Sequence, residues 1–144
     1  MCLQSDNVVQ IAQEDVVCYK VYFKYTFKEV WKSPFLQYRL PEFGETIKVS
    51  DLKDGIHVFS TIEGAIRLTT LFSSWIRGMI SMSSRIEINI VECVIPKNSE
   101  YTQGIDTGTN SPAYCSKELK FVESVAIFNK ENYWQEIEKL WKKN

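Results

Sequence analysis

The chain has 144 residues, enough for one domain with its own hydrophobic core, and its 44% of hydrophobic residues excludes a largely disordered protein. Its 17 basic and 18 acidic residues give a formal charge of −1, which argues against a dedicated nucleic-acid binder because such proteins usually carry a basic excess. Aromatic residues make up 13% of the chain and favour a sheet with large side chains.

The N-terminal part of the chain contains a polar start followed by the first strand. Residues 1–14 are weakly patterned and are predicted to form a flexible arm. Apolar and polar side chains alternate over residues 17–25, which is typical of a strand with one buried face. Ser33-Pro34 breaks this pattern, because proline lacks the backbone N–H group that regular structure uses. Short strands are predicted over residues 35–40 and 46–49.

A strand and a capped helix follow in the middle of the chain. Residues 51–55 predict a turn, and residues 56–59 predict a short strand that contains His57, the only histidine. Ser60 is the predicted N-cap of the next helix, since Glu63 three residues later completes a capping box. The helix should run from residue 61 to about residue 78, with one apolar face. The members of that face are Ile62, Ala65, Ile66, Phe72, Trp75, Ile76 and Met79.

The second half of the chain returns to strands before it ends in a helix. Residues 85–95 form the clearest strand pattern, but its register flips at Ile90-Val91, which predicts either a bulge or a central strand buried on both faces. Residues 97–114 are predicted to form a long loop of the kind that often carries function. Two short strands are predicted over residues 119–122 and 125–128. The last helix should be capped near Asn129, with Glu138 and Lys142 placed to form an ion pair.

The order of these elements predicts an α+β fold. Strands outnumber helices and turn signals separate most of them, so the sheet should be mainly antiparallel. We expect one central helix and a C-terminal helix packed on that sheet, in a single domain spanning residues 1–144. The start of the chain has neither a basic region nor a sustained apolar run, and no segment approaches the ~20 apolar residues of a membrane span. A soluble, cytoplasmic protein without membrane contact is therefore predicted.

The cysteines and the single histidine argue against a metal site. Cys2, Cys18, Cys93 and Cys115 form no C-x-x-C pair, so a zinc site is not predicted and no cofactor is expected. Cys18 and Cys93 lie in strand-like runs, where a free cysteine behaves as a small hydrophobic residue. We interpret the cysteines as reduced thiols.

His57 is the first candidate for chemistry, and two interpretations are open. It could act as a general base or a ligand-binding group, or it could be a half-buried residue bonded to a backbone carbonyl. Strand alternation would point it to the same side as Phe59 and away from Ile56 and Val58. The second interpretation is favoured, because the sequence contains neither a nucleophile motif nor a phosphate-binding glycine loop.

Aromatic residues near the predicted loop and on the last helix are candidates for binding. Tyr101 and Tyr114 would bracket the loop that follows Lys97, where they could contact a partner or fix the loop to the sheet. Trp134 and Trp141 are seven residues apart on the last helix. They are core residues if that face is buried and an interaction surface if it is exposed.

Three segments follow one another in a recognisable order. They are GIHVFSTIEGA at residues 55–65, VECVIPKNSEYTQG at 91–104 and AYCSKELKFV at 113–122. This order resembles a loose group of small bacteriophage and mobile-element proteins, which share a G-[I/F]-H-x-F segment before a helix and an I-P-K-x-S-x-Y-x-x-G segment before a Y-x-S strand. The resemblance covers roughly residues 54–123. It implies a protein that binds a host protein or nucleoprotein complex, such as an anti-CRISPR or other anti-defence inhibitor.

A fainter likeness connects the same order of elements with the compact ADP-ribosyltransferase fold. It implies a site at His57, Ser60, Tyr101 and Glu123, with NAD or another nucleotide bound. The Arg or His that this family carries on its first strand has no counterpart here, where the strand carries Lys20 and Lys24. We therefore predict a non-enzymatic viral inhibitor that acts by protein–protein interaction, with the small enzyme or nucleotide-binding domain as the alternative. Self-association is left open.

Overall fold

The structure, a computed structural model, describes residues 3–5, 8–25, 41–77, 86–129 and 132–143. The described chain has an α+β fold built on a mainly antiparallel sheet, as predicted. Its strands are β1 (Leu3–Ser5), β2 (Gln10–Ile11), β3 (Val16–Tyr25), β4 (Thr46–Lys48), β5 (Ile56–Phe59), β6 (Ile86–Ile95), β7 (Glu100–Asp106), β8 (Ser111–Ser116) and β9 (Glu118–Asn129). The helices are α1 (Ile62–Arg77) and α2 (Tyr133–Lys143), and a short 3-10 helix spans Leu52–Asp54. The strand predicted over residues 35–40 lies outside the described residues.

The described strands form one sheet that curls round on itself. Their order is β1-β7-β8-β5-β3-β6-β9-β4, and β2 pairs with β7 beside β1. In the chain, β8 and β9 are separated by Lys117 alone, yet in the sheet β5, β3 and β6 lie between them. The sheet must therefore bend until its β8 and β9 strands meet, as in a partly closed barrel. Residues 3–5 and 10–11, within the predicted N-terminal arm, are part of this sheet because they pair with β7.

Two clusters of buried residues lie on the two faces of this curled sheet. The outer cluster joins residues of both helices to the sheet: Val21, Phe59, Ala65, Ile66, Leu68, Ile88, Ile90, Ala113, Ala126, Phe128, Ile137 and Leu140. The inner cluster contains no residue of a described helix: Ala12, Cys18, Tyr22, Ile56, Val58, Val91, Cys93, Ile95, Leu119 and Phe121. Because strands from β3 to β9 contribute to it, we place the inner cluster within the curl.

The prediction of one buried face for the first strand is wrong. Cys18 and Tyr22 of β3 are both 0% exposed, and Val21 on the opposite face is also buried. The alternation identified the strand correctly, but the curl encloses the face that was expected to meet solvent. The two interpretations of the 85–95 pattern both hold: β6 shifts register against β9 between Ile90 and Val91, and it contributes residues to both clusters.

The prediction of a loop over residues 97–114 is wrong, because most of this segment forms the β7–β8 hairpin. Its turn is fixed by Asp106, whose Oδ2 accepts hydrogen bonds from the backbone N–H and the hydroxyl of Thr109, at 2.9 and 2.7 Å. Asn110 takes a left-handed conformation, with φ of 53°, which short polar residues adopt most easily. The strands predicted over residues 119–122 and 125–128 are likewise parts of one strand, β9.

The helix N-caps differ slightly from the predicted ones. The hydroxyl oxygen of Thr61, not Ser60, accepts the hydrogen bond from the Gly64 N–H at 3.2 Å. Ser60 instead donates both its N–H and its hydroxyl to the Pro112 carbonyl of β8. At α2, Asn129 and Asn132 accept hydrogen bonds from each other's backbone N–H groups.

The predicted Glu138–Lys142 ion pair is confirmed at 3.1 Å. The side chains of Phe72, Trp75 and Ile76, and the whole of Met79, lie outside the described residues.

The N-cap of α1 gives a direct test of this assignment. We expect Thr61→Ala to lower the free energy of unfolding by about 1 kcal/mol, because the Gly64 N–H loses its capping acceptor. The matched variant Ser60→Ala should cost only about 0.5 kcal/mol, since a partly exposed hydroxyl loses one hydrogen bond. Urea denaturation of both variants measures the difference. A larger loss of unfolding free energy for Ser60→Ala than for Thr61→Ala would mean that Ser60 is the N-cap.

Candidate functional site

His57, a residue of β5, is almost completely buried beside the turn of the β7–β8 hairpin. Its side chain is on the same side of β5 as Phe59, whose ring meets the imidazole edge-on at 5.9 Å between centroids. The residue is 6% exposed. Its Nε2 atom is 3.7 Å from Oδ1 of Asp106, too far for a hydrogen bond, and has no hydrogen-bond partner among the described residues. The half-buried, carbonyl-bonded histidine favoured from the sequence is therefore not what the structure contains.

The environment of His57 keeps its imidazole neutral. Burial lowers the pKa of His57 to about 4, and the positive charge of Lys20 acts in the same direction. The carboxylate of Asp106 opposes both effects and is the weaker influence. A general base works best with a pKa near the working pH and needs a reactive hydrogen within reach. Among the described residues, no hydroxyl or thiol is hydrogen-bonded to the His57 side chain, so the geometry fits a buried polar pair better than a catalytic dyad.

The four residues implied by the ADP-ribosyltransferase likeness do not converge. His57 pairs with Cys115 of β8, whereas Tyr101 pairs with the next residue, Ser116. Successive strand residues point to opposite faces, so the side chains of His57 and Tyr101 lie on opposite sides of the sheet. Glu123 is exposed on β9, three strands away from β5, and the Ser60 hydroxyl donates to the Pro112 carbonyl.

The predicted binding residues are distributed over separate parts of the fold. Tyr101 and Tyr114 lie on adjacent strands, with their rings edge-to-face at 5.5 Å, and pack half-buried against the inner cluster. The hydroxyl of Tyr101 donates to Gln10 of β2 at 3.1 Å, so this tyrosine joins β2 to the hairpin. Lys97 is exposed just before β7 and Trp141 is 51% exposed on α2. The side chain of Trp134 lies outside the described residues.

A strip of polar side chains lies on the inner face of β3 and β6. Lys20 is only 4% exposed, and its Nζ donates to the His57 carbonyl at 3.0 Å. Tyr22 and Asn89 lie directly opposite each other on β3 and β6 and are also buried. In the part of the chain that the structure describes, neither the Tyr22 hydroxyl nor Asn89 Oδ1 has a hydrogen-bond partner. Unsatisfied buried polar atoms are costly and are expected to have a reason.

A groove of about 400 Å³ opens at the end of the sheet where β2, β4 and the β8–β9 junction meet. Its walls carry two ion pairs, Lys48–Glu118 and Lys117–Glu100, each with 3.2 Å between nitrogen and oxygen. The other lining residues are Ile11, Val49, Asn98 and Ser99. The hydroxyl of Ser99 donates to Glu118 at 2.9 Å, and this bond, assisted by Lys48, lowers the pKa of Glu118. The groove therefore presents fixed charges of both signs.

The backbone builds this groove from distant parts of the chain. Ala12 and Ser99 are joined by an N–H to carbonyl bond of 3.0 Å, and Val49 donates to the Lys117 carbonyl at 2.9 Å. Asn98 has a φ of 74°, a left-handed conformation that turns the chain into β7. The Lys97 N–H is bonded to the Asp15 carboxylate at 2.9 Å. Of the predicted binding residues, Lys97 and Tyr101 each lie one residue from the groove lining, beside Asn98 and Glu100.

Among the described residues, the cysteines are poor candidates for reactive thiols, and the cysteines and carboxylates are not arranged as a metal site. Cys18, Cys93 and Cys115 are free, and burial raises the pKa of each thiol, which disfavours the reactive thiolate. The interpretation of Cys18 and Cys93 as buried, hydrophobic thiols is confirmed. In the described part of the chain, no group of three or more His, Cys, Asp or Glu residues is arranged to hold a metal ion.

Sequence reasoning missed Lys20, Asp106 and the groove. Lys20 lies in an alternating run whose polar positions were assigned to solvent, so no local signal marked its burial. Asp106 begins the polar segment DTGTN, where an Asp followed three residues later by Thr is a detectable turn signal. The groove residues are spread from Ile11 to Glu118 and only the fold brings them together.

Comparison with known proteins adds no family to this description. The chain matches no protein-family model, no curated protein and no solved structure. Neither described helix is long and apolar enough to cross a lipid bilayer.

Proposed function

We propose that this chain is a non-enzymatic binding protein of phage type that inhibits or modulates a host or defence protein, and that it holds its partner at the groove between β2, β4 and the β8–β9 junction. The groove is the observation that carries this proposal. A concave surface of about 400 Å³ is within the size range of ligand-binding clefts. The class of partner rests on the resemblance to small phage proteins.

The charges of the groove favour a protein partner with charged groups of both signs. Lys48 and Glu100 have side chains that are 70% and 44% exposed, so both can exchange their present partners for groups on another protein. Exposed ion pairs contribute little to stability, and their rearrangement costs correspondingly little. Ile11, 54% exposed at the same place, adds an apolar contact. Such a mixture of charge and apolar surface is common at non-obligate interfaces.

The packing of the helices supports the same location. We infer that α1 and α2 both pack on the outer face of the sheet, because their buried residues belong to the outer cluster. That arrangement leaves the end of the curl, where the groove lies, away from both helices. Trp141, 51% exposed on α2, is a second surface that a large partner could contact.

Affinity capture with a charge-reversed groove tests the proposal. We expect wild type to retain a specific protein from a bacterial lysate and Lys117→Glu to lose it, with about a tenfold or larger fall in affinity, since three carboxylates would then face one another. The matched control is Lys142→Glu, which disrupts the Glu138–Lys142 pair on α2 and should bind normally. Thermal unfolding verifies that both variants are folded.

Two results would contradict the proposal. The first is equal retention of the captured protein by wild type and Lys117→Glu, which would place the contact elsewhere. The second is a rise in thermal stability with NAD or another nucleotide that is equally large in wild type and Lys117→Glu, together with no captured protein. A ligand that binds only the native state stabilises it by mass action, so this result would favour the nucleotide-binding alternative.

A further inference from the structure

Lys20 is a buried amine without a neighbouring countercharge among the described residues. It lies on the inner face of β3 between Cys18 and Tyr22, opposite Val91 of β6. The ion pairs among the described residues do not include it. A lysine is rarely this deeply buried unless it is paired. Burial lowers the pKa of the Lys20 ammonium to about 8, so a larger share of neutral amine is present near pH 7 than in an exposed lysine.

The amine also lies at a weak seam of the sheet. β3 and β5 share a single pair in register, Tyr19 with Phe59, whereas β3 and β6 pair along the whole length of β3. Next to that single pair, the His57 carbonyl of β5 accepts its hydrogen bond from Lys20 Nζ. The side chain thus closes a gap between two strands, and separation of this seam would uncover the amine.

Two further polar groups accompany the amine on the inner face. The Tyr22 ring centre is 5.7 Å from Lys20 Nζ, and the phenol has no hydrogen-bond partner among the described residues. Burial raises the pKa of Tyr22, so the phenol keeps its proton and is available as a hydrogen-bond donor. Asn89, opposite Tyr22, has an amide oxygen that accepts no hydrogen bond from the described part of the chain. An amine, a phenol and an amide therefore share one apolar interior, a combination that suits carbonyl chemistry.

We propose that Lys20 is a carbonyl-reactive amine that forms a Schiff base with a small, largely apolar aldehyde or ketone. The neutral Nζ forms a bond to the carbonyl carbon, and one N–H proton moves to the carbonyl oxygen to give a carbinolamine. The second N–H proton leaves with that oxygen as water, and the C=N bond forms without any oxidant or reductant. Tyr22 can hold the departing oxygen by donating a hydrogen bond to it. This site is separate from the groove and does not depend on the proposed function.

Reductive trapping on the full chain tests the proposal. The protein is incubated with 4-fluorobenzaldehyde and cyanoborohydride, and the modified lysines are located by peptide mapping, which also separates them from the α-amino group. We expect Lys20 to be alkylated about tenfold or more faster than Lys48, Lys139 and Lys142, whose side chains are largely exposed. The rate at Lys20 should rise through about pH 8, whereas the rates at the exposed lysines should continue to rise well above it.

Two variants distinguish the chemical reactivity of Lys20 from its structural role in the sheet. Lys20→Arg keeps a donor for the His57 carbonyl but cannot form a Schiff base, so the adduct at position 20 should vanish while the exposed lysines react as before. Tyr22→Phe should slow the reaction at Lys20 several-fold without moving its pH dependence. Alkylation of the exposed lysines with Lys20 unmodified, in the folded wild type, would overturn the proposal. Equal rates at Lys20 and the exposed lysines would also overturn the proposal. Both results are obtained with the wild type, so they do not depend on whether a variant folds.

Discussion

Phe121→Ala is expected to lower the free energy of unfolding by about 4 kcal/mol, the typical cost of removing a buried phenylalanine side chain. Phe121 is 0% exposed on the inner face of β9, and its ring centre is 6.1 Å from that of Tyr22 on β3. These two strands are not neighbours in the sheet, because β6 lies between them. Their contact therefore belongs to the inner cluster that the curl encloses. Urea denaturation at neutral pH measures the loss.

The adjacent residue supplies the matched control. Val122 is 37% exposed on the other side of β9, so Val122→Ala should change the free energy of unfolding by about 0.5 kcal/mol or less. A flat sheet with solvent on its second face would give Phe121→Ala a comparably small effect. Similar losses for the two variants would thus remove the basis for an enclosed inner cluster, and with it the environment that we assign to Lys20.

Local patterns predicted β3 and β6 well, because the alternation of apolar and polar side chains depends only on neighbouring residues. The alternation over residues 17–25 and the run over residues 85–95 correspond closely to β3 and β6. The β7–β8 hairpin lies where the sequence predicts a loop, because its turn residues, Thr107 to Asn110, give the whole stretch a loop-like composition. Tyr101 and Thr102 before that turn and Tyr114 after it are in fact good strand residues. The overall composition of residues 97–114 therefore does not reveal the two short strands β7 and β8.

The curl of the sheet could not be predicted, because it depends on which strands pair across long distances in the chain. Nothing in the local sequence indicates that β9 pairs with β6 while β8 pairs with β5. That choice decides the burial of Lys20, Tyr22 and Asn89, which the alternation had assigned to solvent or left unassigned. The same choice brings Lys117 beside β4 and β7 and so creates the groove. The candidate sites are consequences of topology more than of motifs.

The two candidate sites have different relations to stability. The groove charges lie near the surface, so changes there should alter binding with little effect on folding. Lys20 lies inside the curl, where a buried ammonium disfavours folding and a hydrogen bond to β5 favours it. Retaining such a lysine in place of an apolar residue is easier to understand if the amine has a use beyond packing. The groove and the amine can therefore be tested independently of each other.

Acidification is expected to destabilise the wild type by roughly 3 kcal/mol through His57 alone as the pH falls from 7 to 4. The pKa of His57 is about 4 in the folded protein and close to 6.5 in the unfolded chain. Between these values the unfolded chain binds the proton and the folded protein does not, so stability is lost as the pH decreases through this window. The stabilisation is fully present above about pH 6.5.

His57→Gln isolates this contribution, because glutamine is polar and does not titrate. Carboxylates such as Glu118, whose pKa is lowered by Ser99 and Lys48, also cost stability in acid, but they do so equally in wild type and variant. The difference between the two unfolding free energies should therefore decrease by roughly 3 kcal/mol from pH 7 to pH 4. NMR titration of the single imidazole gives an independent value of its pKa. A difference that stays constant with pH, or an imidazole that titrates near pH 6.5, would contradict the lowering of the His57 pKa by burial.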